Sequence, residues 1–311
     1  MAMTPPTHPP LRLRELENPG REDFLACARD GQPALIQGVV PHWPCSRLWS
    51  DDYLRQRLRG RKFLVNESRD GLFGIQSSRM LDAQGLCHLS FDEFLDRLYT
   101  YGADQGDEDA GAGARGPVLY MQQKPAAQAF PELLPDVGQP GFVDPATLTQ
   151  LNIWIGQRHS RIPLHYDSYD NLLVQVRGTK SVRLWGFWQT PWLYPGLDSV
   201  EFASQVDPEH PDLARFPLFA QARCELDFRL EAGQMLYLPP FCWHSIHALS
   251  HANISINAWY DTAFGAPRQP LHLARELLRL TLTQVQALPQ SQRDVAWLCL
   301  RHAADAPLAP H

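Results

Sequence analysis

Two histidines and one aspartate in this chain have a spacing that could hold a metal ion. His165-Tyr166-Asp167 stands directly before the apolar run NLLVQV, and His244 follows 79 residues later, just after MLYLP. Side chains at i and i+2 of an extended strand point to the same side, so His165 and Asp167 can reach one ion, with His244 arriving from a neighbouring strand. Two imidazoles and a carboxylate on one face of a metal leave three adjacent positions open. That suits a non-haem Fe(II) which must take a co-substrate and O2 together. The same three donors can also hold zinc. Spacing alone leaves rivals: His210-Pro211-Asp212 repeats His-x-Asp inside the polar, proline-rich DPEHPDL, where a loop turn is the better account, and His247 lies three residues past His244.

Lys180 adds a second kind of chemistry. The chain has 25 Arg but only three Lys, and one of those three opens the strand KSVRLWGF immediately after Gly178, 15 residues past His165. An ammonium projecting into an apolar barrel needs an anionic partner, because an unpaired buried charge is costly. A dicarboxylate co-substrate would supply one. An exposed edge lysine is the plainer alternative.

These residues need a scaffold of strands. From 117 onward PVLYMQ, LNIWIG, NLLVQV, KSVRLWGF, DFRLEAGQMLYLP, HSIHAL and ISINAWY follow one another, separated by Gly, Pro and Asp clusters. Short strands at that spacing predict a mainly β, antiparallel sandwich or barrel over 117–262. Before it, 11–116 reads as a helix and strand flank: REDFLACARDG and FDEFLDRLYT as helices, PALIQGVV as a strand, and a helix starting at Asp51 after Ser50. Its Gly-rich end, 102–116, reads as a mobile loop. Gly111, Gly113 and Gly116 spell G-x-G-x-x-G there, but no strand precedes them and Pro117 starts a strand, so a dinucleotide site is excluded. Residues 1–10 read as a frayed tail. In 263–311 the apolar steps Leu271, Ala274, Leu278, Thr281, Val285 and Leu288, with Leu273, Leu277 and Leu280 on a second face, predict helices.

Composition narrows the classes. With 311 residues, 44% of them apolar and 20% charged, the chain can bury a core without staples. No apolar run approaches the roughly 20 residues of a membrane span. The six cysteines, Cys27, Cys45, Cys87, Cys224, Cys242 and Cys299, form no metal-type pairs and fit a reducing compartment. We therefore expect a cytoplasmic protein, with the nucleus as the alternative. A net charge of −6 argues against broad nucleic-acid binding, although Arg55, Arg57, Arg59, Arg61 and Lys62 form one local basic cluster.

The runs IPLHYDSYDNLLVQVRGTKSVRLW, LEAGQMLYLPPFCWHSIHAL and ISINAWYD, preceded by QPALIQGVVPHWP and VLYMQQ, resemble the small JmjC-domain (cupin-like) hydroxylases that depend on Fe(II) and 2-oxoglutarate. The resemblance covers roughly 11–305. It implies a double-stranded β-helix, or jelly roll, with an N-terminal α/β flank and C-terminal helices that make a homodimer. It further implies His165, Asp167 and His244 as iron ligands, Lys180 on the far carboxylate of 2-oxoglutarate, Tyr120 assisting Lys180, and Asn171 and Asn257 near the chelating end. One departure is Ile162, where many relatives carry Thr or Ser whose hydroxyl contacts the co-substrate; isoleucine cannot hydrogen-bond. Tyr166, Trp154, Gln122 and Asp170 stand where they could line the substrate mouth.

Within that family the chain is most similar to members that hydroxylate side chains in proteins, and nearly as similar to those acting on a wybutosine-type base of tRNA. The acidic balance favours a protein substrate, and the Arg55 to Lys62 cluster is the feature that favours RNA. A small-molecule substrate, a non-catalytic cupin-like binding module and a zinc hydrolase are the other readings. Histone demethylation fits less well, for want of a reader domain, a zinc-type cluster and a basic surface.

Overall fold

The structure, a computed structural model, describes residues 9–74, 84–103, 117–195 and 203–260, and beyond them 285, 289–290 and 292–297. The chain divides into two compact units, Met1–Gly265 and Ala266–His311. The first eight residues, most of the 102–116 loop with its G-x-G-x-x-G, and nearly all of the expected dimerisation helices lie outside the described residues.

The first unit is mainly β. Its strands in chain order are β1 Arg14–Glu17, β2 Ala34–Gln37, β3 Lys62–Ser68, β4 Gln84–Ser90, β5 Val118–Pro125, β6 Leu148–Gln157 and β7 Arg161–His165, followed by β8 Asp170–Arg177, β9 Lys180–Trp185, β10 Leu226–Leu230, β11 Met235–Leu238, β12 Trp243–Ala248 and β13 Ala252–Tyr260. Among the described residues, five α-helices accompany them: α1 Arg21–Arg29, α2 Pro44–Leu48, α3 Asp51–Arg57, α4 Phe91–Ala103 and α5 Ala126–Ala129. Ser50 starts α3 as its N-cap, its hydroxyl accepting from the Tyr53 N–H at 3.3 Å.

The strands form a nine-stranded sheet, β1-β2-β11-β8-β13-β6-β5-β3-β4, and a four-stranded sheet, β10-β9-β12-β7. Strand β8 shows why they pack as they do. Its run DNLLVQVR is buried along nearly its whole length. Leu172, Val174 and Val176 face outward with Ile153, Ile155, Ile254 and Ile256 into a core that also holds Phe24, Leu54, Phe91 and Phe94. Leu173 faces the other way, into a second core with Val182, Leu184, Leu230, Leu236 and Leu238 from strands of both sheets. Two sheets closed over a shared core match the antiparallel sandwich or barrel that the strand spacing predicts and the jelly roll that the family resemblance implies.

Four strands escape the sequence pattern. β3 and β4 pair with each other, and β3 also pairs with β5, so part of the N-terminal flank extends the large sheet. β1 is four residues long, with mostly exposed side chains, and lies parallel to β2. β7 carries Pro163 and is accordingly an edge strand, since proline has no N–H for a second ladder.

Part of the basic cluster serves the fold. Arg55 pairs with Asp92 and Asp96 of α4, at 3.0 and 2.6 Å, and Arg61 pairs with Glu132. No helix among the described residues is long and apolar enough to cross a membrane.

Candidate metal centre

His165 ends β7, and its antiparallel neighbour β12 sets His244 directly opposite it. The two imidazole centroids are 4.1 Å apart. Asp167 follows in the connection to β8, just past the end of the strand, with its Oδ2 3.9 Å from His244 Nε2. One donor atom from each of the three lies within 4.8 Å of the others, and all three residues are buried.

Backbone carbonyls orient both rings. His165 Nδ1 lies 2.7 Å from the Pro163 carbonyl and His244 Nδ1 lies 2.9 Å from the Cys242 carbonyl. A carbonyl oxygen can only accept, so each Nδ1 carries a proton, which leaves Nε2 as the ring atom able to bind a metal. Burial, together with the neighbouring His244, holds the His165 pKa well below the ordinary histidine range, so this imidazole stays neutral. Burial raises the Asp167 carboxyl, opposed by His244 and by the Asn171 amide, which donates to Asp167 Oδ2 at 2.7 Å. Two imidazole nitrogens and one carboxyl group, buried together, form a donor set fit for a divalent first-row metal.

The cluster lies in a cleft that also takes in Tyr120, Asn171, Lys180 and Asn257, the residues expected to hold the co-substrate. Lys180 is buried, and among the described residues it makes no ion pair. Burial lowers its ammonium from 10.5 to about 7. Asn257 Oδ1 accepts from the Trp154 indole at 2.7 Å, and Asn171 Oδ1 is buried without a hydrogen-bond partner. A buried cation without a counter-ion and an unsatisfied amide oxygen beside the three clustered donor residues fit a metal together with an anionic organic ligand. Ile162 also lines the cleft and brings no polar atom to it.

Tyr120 owes its place to a glycine. It sits opposite Gly156 in the β5–β6 ladder, and a Cβ built on Gly156 would run into the tyrosine ring. Gly156→Ala should therefore lower stability by about 1–3 kcal/mol, read as a shift of the urea midpoint at constant slope.

Other sequence candidates lie elsewhere. His210 and Asp212 are exposed, and Asp212 Oδ1 accepts from the Ala214 and Arg215 N–H groups in a turn. His247 faces Glu209 at 3.6 Å, away from the cluster. Of the four expected mouth residues only Trp154 lines the cleft. Gln122 donates to the Gly74 carbonyl, Asp170 accepts from Tyr237, and Tyr166 packs on Phe241 and Trp243. The sequence pattern missed Gln123, Leu173, Ile246 and Trp259, all of which line it. Gln123 enters through a bulge: the β5–β6 register slips between Met121 and Lys124, and Gln123 takes a positive φ of 45°.

Facing antiparallel sheets around a buried His-Asp-His cluster define a cupin-type barrel with a candidate metal centre. The profile of the Cupin-like domain matches residues 22–266, and the chain belongs to this cupin-like, JmjC-type family. It is 31% identical to Lysine-specific demethylase 8 of Xenopus tropicalis over 81% of this chain and 52% of that protein. It is 28% identical to JmjC domain-containing protein D of Dictyostelium discoideum, over 71% and 50% of the two chains. The identity to human HSPB1-associated protein 1 is also 28%, over 86% and 55%. The chain thus spans about half the length of these relatives.

Proposed function

We propose that this protein is an Fe(II)- and 2-oxoglutarate-dependent dioxygenase that hydroxylates a side chain of a protein substrate. The observation that carries this reading is the unpaired, buried Lys180 in the same cleft as three desolvated donors. His165, Asp167 and His244 would hold the iron, and Lys180 with Tyr120 would bind the far carboxylate of 2-oxoglutarate. Bound together, iron, 2-oxoglutarate and O2 supply oxidation of a C–H bond coupled to release of succinate and CO2. The chain's own part is positioning and exclusion. The two Nδ1 protons stay fixed on backbone carbonyls, so neither histidine turns. Asn171 holds one Asp167 oxygen, and Trp154 holds the Asn257 amide with its oxygen occupied. The walls of Trp154, Ile162, Leu173, Ile246 and Trp259 keep water and other C–H bonds away from the reacting centre.

Succinate formation from 2-oxoglutarate with Fe(II), ascorbate and O2 tests the activity, since uncoupled turnover does not require the true substrate. Turnover in the wild type that His165→Ala and Lys180→Ala both abolish supports the proposal. Absence of turnover, together with absence of 2-oxoglutarate binding by calorimetry, sinks it. The demethylase names of relatives favour one second reading, in which the oxidised carbon is an N-methyl group. Formaldehyde release from a methylated peptide separates that case from a stable hydroxylated product.

Ile162 gives a further expectation. Ile162→Thr places a hydroxyl where many family members have one, and a hydrogen bond to a charged group contributes about 1.5–3 kcal/mol. The Kd for 2-oxoglutarate should fall by about 10-fold in calorimetry, and an unchanged or weaker Kd would show that the carboxylate is held elsewhere.

A further inference from the structure

Phe241 has a backbone conformation that its side chain disfavours. Its φ is +63°, in the left-handed region where glycine is at home and a bulky residue is an outlier. The cause is a turn: the Cys242 N–H donates to the Pro239 carbonyl at 3.3 Å, with Pro240 second and Phe241 third. A positive φ at the third position after a proline is the pattern of a type II turn, whose third place favours glycine. Strain of this kind persists only where the surroundings enforce it, and it clusters at working sites.

This turn touches both halves of the candidate metal centre. The Phe241 N–H donates to the Asp167 carbonyl at 2.8 Å, and the Cys242 carbonyl holds His244 Nδ1. The Phe241 ring packs on Tyr166, between His165 and Asp167, with centroids 5.5 Å apart. Tyr166 in turn stands edge-on to Trp243, at 4.8 Å and 86°. Glycine would satisfy the turn without strain but could not supply the ring that ties the His165-Tyr166-Asp167 segment to the segment carrying His244.

We infer that Phe241 is a positioning residue: its strained turn and its ring on Tyr166 lock the Asp167 segment against His244 and so set metal affinity. This rests on the metal-binding part of the proposed function. Cobalt(II) serves as the probe, read by its visible absorption bands during titration of the full chain, with thermal melting in parallel. Phe241→Gly should keep the melting temperature close to wild type, because relief of strain offsets the lost ring contact. Its Co(II) Kd should rise by about 10-fold or more, the range seen when groups behind metal ligands are removed, with a changed band shape. Phe241→Tyr should restore both. Tyr166→Leu removes the ring contact while leaving the turn intact, and should show the same loss of affinity even if Phe241→Gly does not fold.

Wild-type Co(II) affinity and spectrum in folded Phe241→Gly or in folded Tyr166→Leu would overturn the inference. So would a loss of affinity confined to variants whose melting temperature collapses. Failure of the wild type itself to bind Co(II) would instead strike the metal reading.

Discussion

Lys180→Met should make the ligand-free protein more stable and at the same time blind it to 2-oxoglutarate. The wild-type ammonium is buried, and burial alone lowers it from 10.5 to about 7. A lysine whose folded pKa lies below its unfolded value destabilises the fold fully below the folded pKa. Between about 7 and 10.5 the unfolded chain binds more protons than the folded one, so wild-type stability climbs with pH through that window. Methionine removes the charge and keeps much of the stem's volume. The gain should be roughly 2–4 kcal/mol at pH 6, within the bound set by about 1.4 kcal/mol per pK unit, and should fade towards pH 10.5. Saturating 2-oxoglutarate at about 100 times its Kd should stabilise the wild type by about 2.7 kcal/mol and leave Lys180→Met unmoved. Melting curves at pH 6, 8 and 10, with and without 2-oxoglutarate, read both signs. A less stable variant at pH 6, or one that still responds to the ligand, would show that Lys180 has a partner of another kind.

Asp167→Ala carries the second large effect. In the metal-free fold this carboxylate is buried and its pKa is raised, so its charge opposes folding above the ordinary carboxylate range. Its removal should cost the metal-free protein little. Metal affinity should instead fall by well over about 100-fold, beyond what loss of a supporting group produces, because a ligand itself is gone. Co(II) titration checks the affinity, and a melting curve in chelator checks the fold. Wild-type affinity would exclude Asp167 from the metal. A collapsed melting temperature in chelator would make its role structural.

Part of the candidate centre was legible from local spacing, while the choice of His244 over His247 rested on the family resemblance. His165 and Asp167 are two residues apart, and Lys180 follows the Gly178 turn at the start of a strand. The rest of the cleft lining was less legible, because parity along a strand holds only while the register holds. Counting by twos from Tyr120 brings Gln122 to the cleft, but the bulge ahead of Lys124 puts Gln123 there and leaves Gln122 on the Gly74 carbonyl. β3 and the edge strand β4 mix polar and apolar residues and gave no clear period. β7 hid because five residues broken by a proline resemble a loop. The left-handed Phe241 has no sequence signal at all, since a phenylalanine after two prolines does not announce its φ.

Pro163 bears on how a substrate can approach. β7 is the outer strand that carries His165, and an outer strand ordinarily offers its backbone to a passing peptide. Here that margin is closed. Arg161 exchanges backbone hydrogen bonds with Gly71 and Phe73, the Leu164 carbonyl accepts from Ser204, and proline has no N–H to give between them. A polypeptide cannot zip onto this border as an added strand. Under the proposed function, a peptide substrate would have to reach the cleft by a route other than strand addition along β7.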